Sequence, residues 1–177
     1  MEEKKETWLN YLALITVILA LASTLSTLRV GSFSSRSILK QTQASNQWSY
    51  FQAKSIKSYL YEIQKEELTI ELETIDPSAS RNVAEKLDSK IAAYSEKIKR
   101  YDDEKAAIIN EAKKLEAERD VASQHYQAFG LAVILLQLAI LLSSIAALMK
   151  KKGVWAIGLI LGTFGAVAFA NGYWLFL

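Results

Sequence analysis

A lone histidine, a run of three acids, a glycine triplet and one mid-span glutamine are the residues whose types could do chemistry in this chain. His125 is the only His among 177 residues, and there is no Cys. A zinc cage or a catalytic triad needs more partners than that. A Glu-x-x-His pair would need an acid at position 122, which is Ala122. His125 therefore reads as a residue at a membrane interface. The run Asp102-Asp103-Glu104 reads as a solvated face, because consecutive helical residues point in different directions. Gly158-x3-Gly162-x2-Gly165 lies inside an apolar stretch without the Lys-Ser/Thr pair of a phosphate loop. Gln137 is the strongest polar residue deep in an apolar stretch, and a bond to a neighbouring helix is its expected use. No catalytic residue, metal or cofactor is expected, and no enzyme.

The elements that hold these residues are set by composition. The chain is 51% hydrophobic and 23% charged, with a formal net charge of +2. The absence of Cys excludes a disulfide scaffold, an iron–sulfur site and a Cys nucleophile. None of the seven Gly lies between Ser32 and Phe129, and Pro77 is the single Pro. The apolar residues gather at the two ends. Trp8–Leu28, Phe129–Met149 and Gly153–Leu177 contain no Asp, Glu, Lys, Arg or His. About 20 apolar helical residues cross a bilayer, so three transmembrane helices are predicted. The first is read as an uncleaved anchor, because Glu2, Glu3 and Glu6 accompany Lys4 and Lys5 and a secretory leader opens on a basic region. Trp8, Tyr11, Tyr126, Trp155, Tyr173 and Trp174 stand at span ends, where aromatic rings favour the headgroups. The spans' lack of ionisable groups disfavours a proton relay or ion-coupled transporter.

Lys150, Lys151 and Lys152 fill the link between the second and third spans. The positive-inside rule makes that turn cytoplasmic, with the N-terminus. The middle segment and the C-terminus then lie on the outer side. The middle carries 16 basic and 16 acidic residues from Arg29 to His125, so it does not vote on orientation. Nor does it offer the basic stripe that nucleic acid requires.

That middle reads as helix. From Ile91, alternating steps of three and four give Tyr94, Ile98, Tyr101, Lys105, Ile108, Ala112, Leu115, Arg119, Ala122, Tyr126 and Phe129, a heptad seam. The phase continues through Val133, Leu136 and Ile140 into the second span. Asp76-Pro77 reads as an N-cap with Pro at the first helical position, so one helix is expected over 77–149. A helix over about 35–74 precedes it, separated from the first span by a break at Gly31–Ser35. Ile38, Ile56, Leu60, Ile63 and Ile70 are assigned to its inner seam. The predicted fold is all-α, an integral membrane protein with a long antiparallel helical-hairpin, coiled-coil stalk between spans one and two. Its parts are residues 1–28, the leader and first span; 29–125, the stalk, with helices 35–74 and 77–125 and a turn at 75–78; and 126–177, two spans around the Lys turn 150–152.

Leu39, Tyr50, Tyr61, Leu68 and Leu72 form a second stripe on the first stalk helix, which a two-helix hairpin leaves uncovered. Those at 50, 61, 68 and 72, with Trp48 and Phe51, are the expected interface with other copies or a protein partner. Trp48 and Phe51 share a face, which serves either docking or the core of the stalk base. Lys105 and Arg119 sit on the seam as snorkelling stems, or as partners of Glu62 or Glu66. On the third span Gly158, Gly162, Ala166 and Ala170 recur every four residues and Gly165 widens the stripe, a close-packing face.

The segment Ser45–Lys57, sharpest over Gln47–Lys57, resembles the signature of a bacterial membrane family known as domain of unknown function 4337. The leader Trp8–Ala13 is similar as well. The resemblance implies one N-terminal and two C-terminal spans, and supplies no activity. Three roles are in contention. The first is an oligomeric membrane-anchored scaffold without catalytic activity. The second is a subunit of a homo-oligomeric channel or transport assembly, with Thr16, Ser23, Ser26 and Thr27 along a lumen. The third is a sensor passing signals along a rigid helix.

Overall fold

The computed structural model describes residues 7–75 and 81–176. The described residues form three α-helices: α1 over Thr7–Thr74, α2 over Arg81–Met149 and α3 over Lys152–Trp174. All three contain stretches long and apolar enough to cross a membrane. The Asp76-Pro77 cap and most of the expected turn at 75–78 lie outside the described residues. The helix expected to run without interruption into Met149 does so.

The expected break at Gly31–Ser35 is absent. α1 is helical throughout. One exposed Gly costs a helix only about 1 kcal/mol, and a contact repays it: Phe33 stacks on His125 at 4.5 Å between centroids and lies 5.9 Å from Phe129. Serine hydroxyls tempt a helix to end, but tertiary contact holds it.

The chain divides into two compact units, Met1–Leu39 with Glu118–Leu177, and Lys40–Ala117. The first unit has an interior of small residues. Ala132, Ala139, Ala146, Ser26 and Ser143 are buried, together with Leu136 and Phe129. Large side chains such as Leu21, Leu28, Ile134, Leu141, Ile160 and Phe164 are exposed. The hydroxyls of Thr16, Ser26 and Thr27 donate to the carbonyls of Leu12, Ala22 and Ser23, one turn back. Gln137 is exposed, so the bond it was expected to make to another helix is not formed.

In the second unit α1 and α2 run antiparallel. Trp48 reaches Glu116, Lys54 reaches Glu104, and Tyr61 meets both Tyr94 and Tyr101. The α2 seam read from the heptads is covered from Ile91 to Ala122. Past that point it corrects the reading in part. Phe129 and Leu136 keep the expected phase and are fully buried, Val133 and Ile140 are half-buried, Tyr126 is exposed, and Ala132 and Ala139 join the buried stripe. Small residues let helices approach closely, so Ala132 and Ala139 take the innermost places while Ile140 packs at the edge of the same core.

The two Lys-flanked helices join tightly. Lys150 adopts a left-handed conformation, φ 50°. Lys151 N–H donates to Ala146 O at 3.2 Å and Lys150 N–H to Ala147 O at 3.4 Å. This is the Schellman pattern that closes a helix C-terminus, with Lys where Gly is usual.

Candidate functional site

Two helix interfaces concentrate the distinctive side chains, one in each unit. In the second unit, α1 carries two heptad seams back to back. Ala44, Gln47, Phe51, Lys54, Ser58, Tyr61, Lys65, Leu68 and Leu72 are all buried or half-buried. Ala53, Ile56, Leu60, Ile63, Glu67, Ile70 and Thr74 are all exposed. Each series alternates steps of three and four. The assignment made from apolar periodicity is therefore inverted. The isoleucine stripe faces out, and Tyr61, Leu68 and Leu72 turn in toward α2 beside Trp48 and Phe51. Of the six expected docking residues only Tyr50, 51% exposed, lies on the open surface.

The inner seam works although Gln, Lys and Ser occupy it, because aromatic rings take the long stems. Lys54 Nζ lies 5.3 Å from the Tyr50 ring centroid and 5.2 Å from that of Tyr101. Its ammonium pairs with Glu104. That hydrogen bond holds the Lys54 amine above its ordinary range against the opposing cost of desolvation, and holds the Glu104 carboxyl below the usual carboxylate range. Lys97 sits 4.8 Å over Tyr61, whose ring is 5.4 Å from Tyr94. Trp48 Nε1 donates to Glu116 Oε1 at 2.8 Å, and its ring meets Phe51 edge-on at 5.9 Å. Cations over aromatic faces are attracted by the ring quadrupole, more strongly as water is excluded. Lys105 pairs with Asp102 at 2.7 Å on its own helix instead of with Glu62 or Glu66. Arg119 takes Asp120 through two nitrogens, at 2.7 and 2.9 Å.

Charge blocks fix the direction of this pairing. From Lys40 to Tyr61, α1 carries three lysines and no acid; from Glu62 to Thr74 it carries five glutamates and one lysine. α2 has six basic and three acidic residues over 81–101, then three basic and five acidic over 102–117. Only the antiparallel alignment sets each block beside its opposite, the same logic that flanking charges use to set coiled-coil orientation. This signal was present in the sequence, but summing the middle segment to zero net charge concealed it.

The first unit is closed by glycines and one imidazole. The buried residues of α3 are Gly158, Gly162, Gly165, Ala168 and Gly172. The expected stripe holds for its three glycines and fails for Ala166, which is exposed, and for Ala170, which is half-buried. Steps of four advance about 40° beyond each full turn, so a strict four-residue series drifts off its face. Steps of four, three and seven stay on it and bring in Gly172. A Cβ on Gly165 would stand 2.9 Å from Leu136 Cγ and 3.1 Å from Leu136 N. One on Gly172 would stand 2.7 Å from the fully buried Phe129 ring. Around that ring gather Tyr173 at 5.0 Å, Phe169 at 6.0 Å and Phe33.

His125 fastens this cluster. Its Nδ1 lies 2.8 Å from Gly172 O, one of the last carbonyls of α3, which lack intrahelical partners. With the N–H on Nδ1, the imidazole donates to that carbonyl. Leu175 N–H donates to Asn171 O and Phe176 N–H to Asn171 Oδ1, both at 2.8 Å. Arg29 lies 5.4 Å from the Tyr173 ring centroid. The role of His125 is thus a helix clasp, which the sequence hid because its partner is a backbone atom 47 residues away. Among the described residues no group of three or more His, Cys, Asp or Glu is placed to hold a metal.

These features define an all-helical protein with three helices suited to membrane crossing, one unit packed through glycine and alanine and the other through aromatics. The chain belongs to the DUF4337 family, described as a domain of unknown function, whose profile matches residues 8–175. No curated protein and no solved structure matches the chain.

Proposed function

We propose that the chain is an integral protein of a bacterial inner membrane whose charged unit is an antiparallel coiled-coil hairpin, and that it acts as a homo-oligomeric docking scaffold without catalytic activity. The observation that carries this reading is the uncovered outer seam of α1, where Ile56, Leu60, Ile63 and Ile70 are each more than half exposed. Such a stripe is an association surface in a water-facing segment. Membrane insertion is supported by the first unit's layering, small residues inside and large apolar ones outside, which suits a lipid solvent and not water. The Lys150–Lys152 turn and the N-terminus are cytoplasmic, and the charged unit and C-terminus lie on the outer side, in keeping with the distribution of lysine around the spans.

A channel or transport assembly ranks second. Three of the four hydroxyls that would line its lumen donate to their own helix, as described above. Full-length protein in lipid nanodiscs, examined by mass photometry, is expected as an oligomer; a monodisperse monomer overturns the scaffold. Ion flux from the same preparation in liposomes would favour the channel. Glu67→Cys is expected to react with an impermeant maleimide in intact cells and Lys150→Cys only after permeabilisation; the reverse pattern inverts the topology.

A further inference from the structure

We infer that the outer isoleucine seam of α1 in one copy docks on the outer face of α2 in a neighbouring copy, not on the neighbour's α1. The inference rests on the membrane-scaffold reading above and specifies its interface.

The α2 face opposite its seam is unlike that of α1. It alternates small and basic pairs: Ala92-Ala93, Lys99-Arg100, Ala106-Ala107, Lys113-Lys114, all exposed. An open groove of about 510 Å³ runs over it, lined by Ala93, Lys97, Lys99 and Arg100 together with the acids Glu96 and Asp103. Ile56 and Ile70 are fourteen residues apart, and so are Ala93 and Ala107. An antiparallel neighbour can therefore seat Ile70 over Ala93 and Ile56 over Ala107 at once, large side chains into small-residue hollows. Ile63 then meets the stems of Lys99 and Arg100, which cover apolar surface while their charged ends reach outward. This register is close to the one that α1 and α2 keep within a single chain, where Tyr61 meets Tyr101 and Trp48 meets Glu116.

Charge selects α2 over α1 as the partner. Glu66, Glu67 and Glu73 flank the outer isoleucines and are exposed. Copies inserted alike in one bilayer run their α1 helices in the same direction. A symmetric α1–α1 contact would set these glutamates against their own counterparts, and like charges across a helix pair repel. Against α2 in this register Glu73 falls beside Lys90, and Glu66 beside Lys97 and one turn from Lys99 and Arg100; Glu67 meets Glu96, and the surrounding stretch 81–101, with six basic and three acidic residues, keeps the balance favourable. Each copy then presents one isoleucine face and one alanine–lysine face, a heterologous contact that builds a ring or an open row.

The natural chain contains no Cys, so paired cysteines report the contact directly. Two differently tagged full-length chains, Ile70→Cys and Ala93→Cys, are co-expressed, oxidised in membranes and separated without reductant. The expected product is the mixed-tag disulfide dimer, and the Ile56→Cys with Ala107→Cys pair behaves the same way. Reversing charge with Lys99→Glu and Arg100→Glu lowers the Ile70–Ala93 yield roughly fivefold, and Glu66→Lys with Glu67→Lys in the partner restores it. Ile70→Cys homodimers in place of the mixed product overturn the inference, as does an absence of cross-links in a preparation that mass photometry shows to be oligomeric. In both cases the scaffold reading survives. A monomer overturns both.

Discussion

The two units solve helix packing in opposite ways. In the first, helices approach until a Cβ on Gly165 or Gly172 would collide with its neighbour, and the bulky side chains are left outside. In the second, α1 and α2 meet through Trp48, Phe51, Tyr61, Tyr94 and Tyr101, and lysines lie over the three tyrosine rings. On the membrane reading proposed above the first unit's surroundings are hydrocarbon, where burying a large apolar side chain brings little gain and contact between backbones decides stability. Where the surroundings are water, removing aromatic area is the main gain. A change of residue size should therefore have opposite consequences in the two places.

The largest effect is expected from Gly172→Leu. The new side chain meets the Phe129 ring, which is buried among Phe33, Phe169 and Tyr173, and has no solvent gap to escape into. Overpacking of this kind costs about 3 kcal/mol, read as a fall of roughly 6–12 °C in melting temperature in detergent. Adding bulk to the outside of the same unit, as in Ala156→Leu, an exposed site, should leave the melting temperature unchanged. Equal sensitivity at both sites would erase the distinction between the interiors.

Truncation tests the second unit. Tyr61→Ala removes contacts to Tyr94, Tyr101 and Lys97 and is expected to cost about 2 kcal/mol, seen as a lower urea midpoint for loss of helical circular dichroism. Ile63→Ala, two residues on but on the outer seam, should cost under about 0.5 kcal/mol in the dissociated chain. If the two are alike, α1 does not use the face described here.

A smaller gain is expected at the Lys turn. Lys150 stands where glycine is at no disadvantage, and Lys150→Gly should stabilise the chain by about 1 kcal/mol, raising the melting temperature by roughly 2–4 °C.

The least is expected from acid. Glu104 titrates below its ordinary 4.5 because Lys54 hydrogen-bonds its charged form. Its contribution is complete above about pH 4.5 and is lost as pH falls through the lower folded-state value. In Lys54→Met the difference between melting curves at pH 6 and pH 3 should shrink; an unchanged difference would remove this pair from the account.

How much of this was legible depends on which atoms carry the information. The three apolar stretches and the α2 seam were legible because side-chain periodicity alone determines them. The α1 seam was not, since Lys54, Ser58 and Lys65 look polar until the rings of Tyr50 and Tyr101 are placed beside Lys54. Aliphatic periodicity instead selected the isoleucines, which are regular but face outward. Continuity through Gly31 was also hidden, because Phe33 supports it from across the fold. The clasp at His125 is invisible to any reading of residue types, as a carbonyl oxygen belongs to every residue alike.

That clasp has a consequence for biogenesis. The last turn of α3 receives His125 and Phe129, with Phe33 stacked behind them, from helices that leave the ribosome well before it. Until α3 is made, the Phe129 ring has no glycine to rest against and His125 has no carbonyl to hold. A chain ending ahead of Gly172 would thus leave the Phe129 ring without its cover, an open aromatic socket on an unfinished fold.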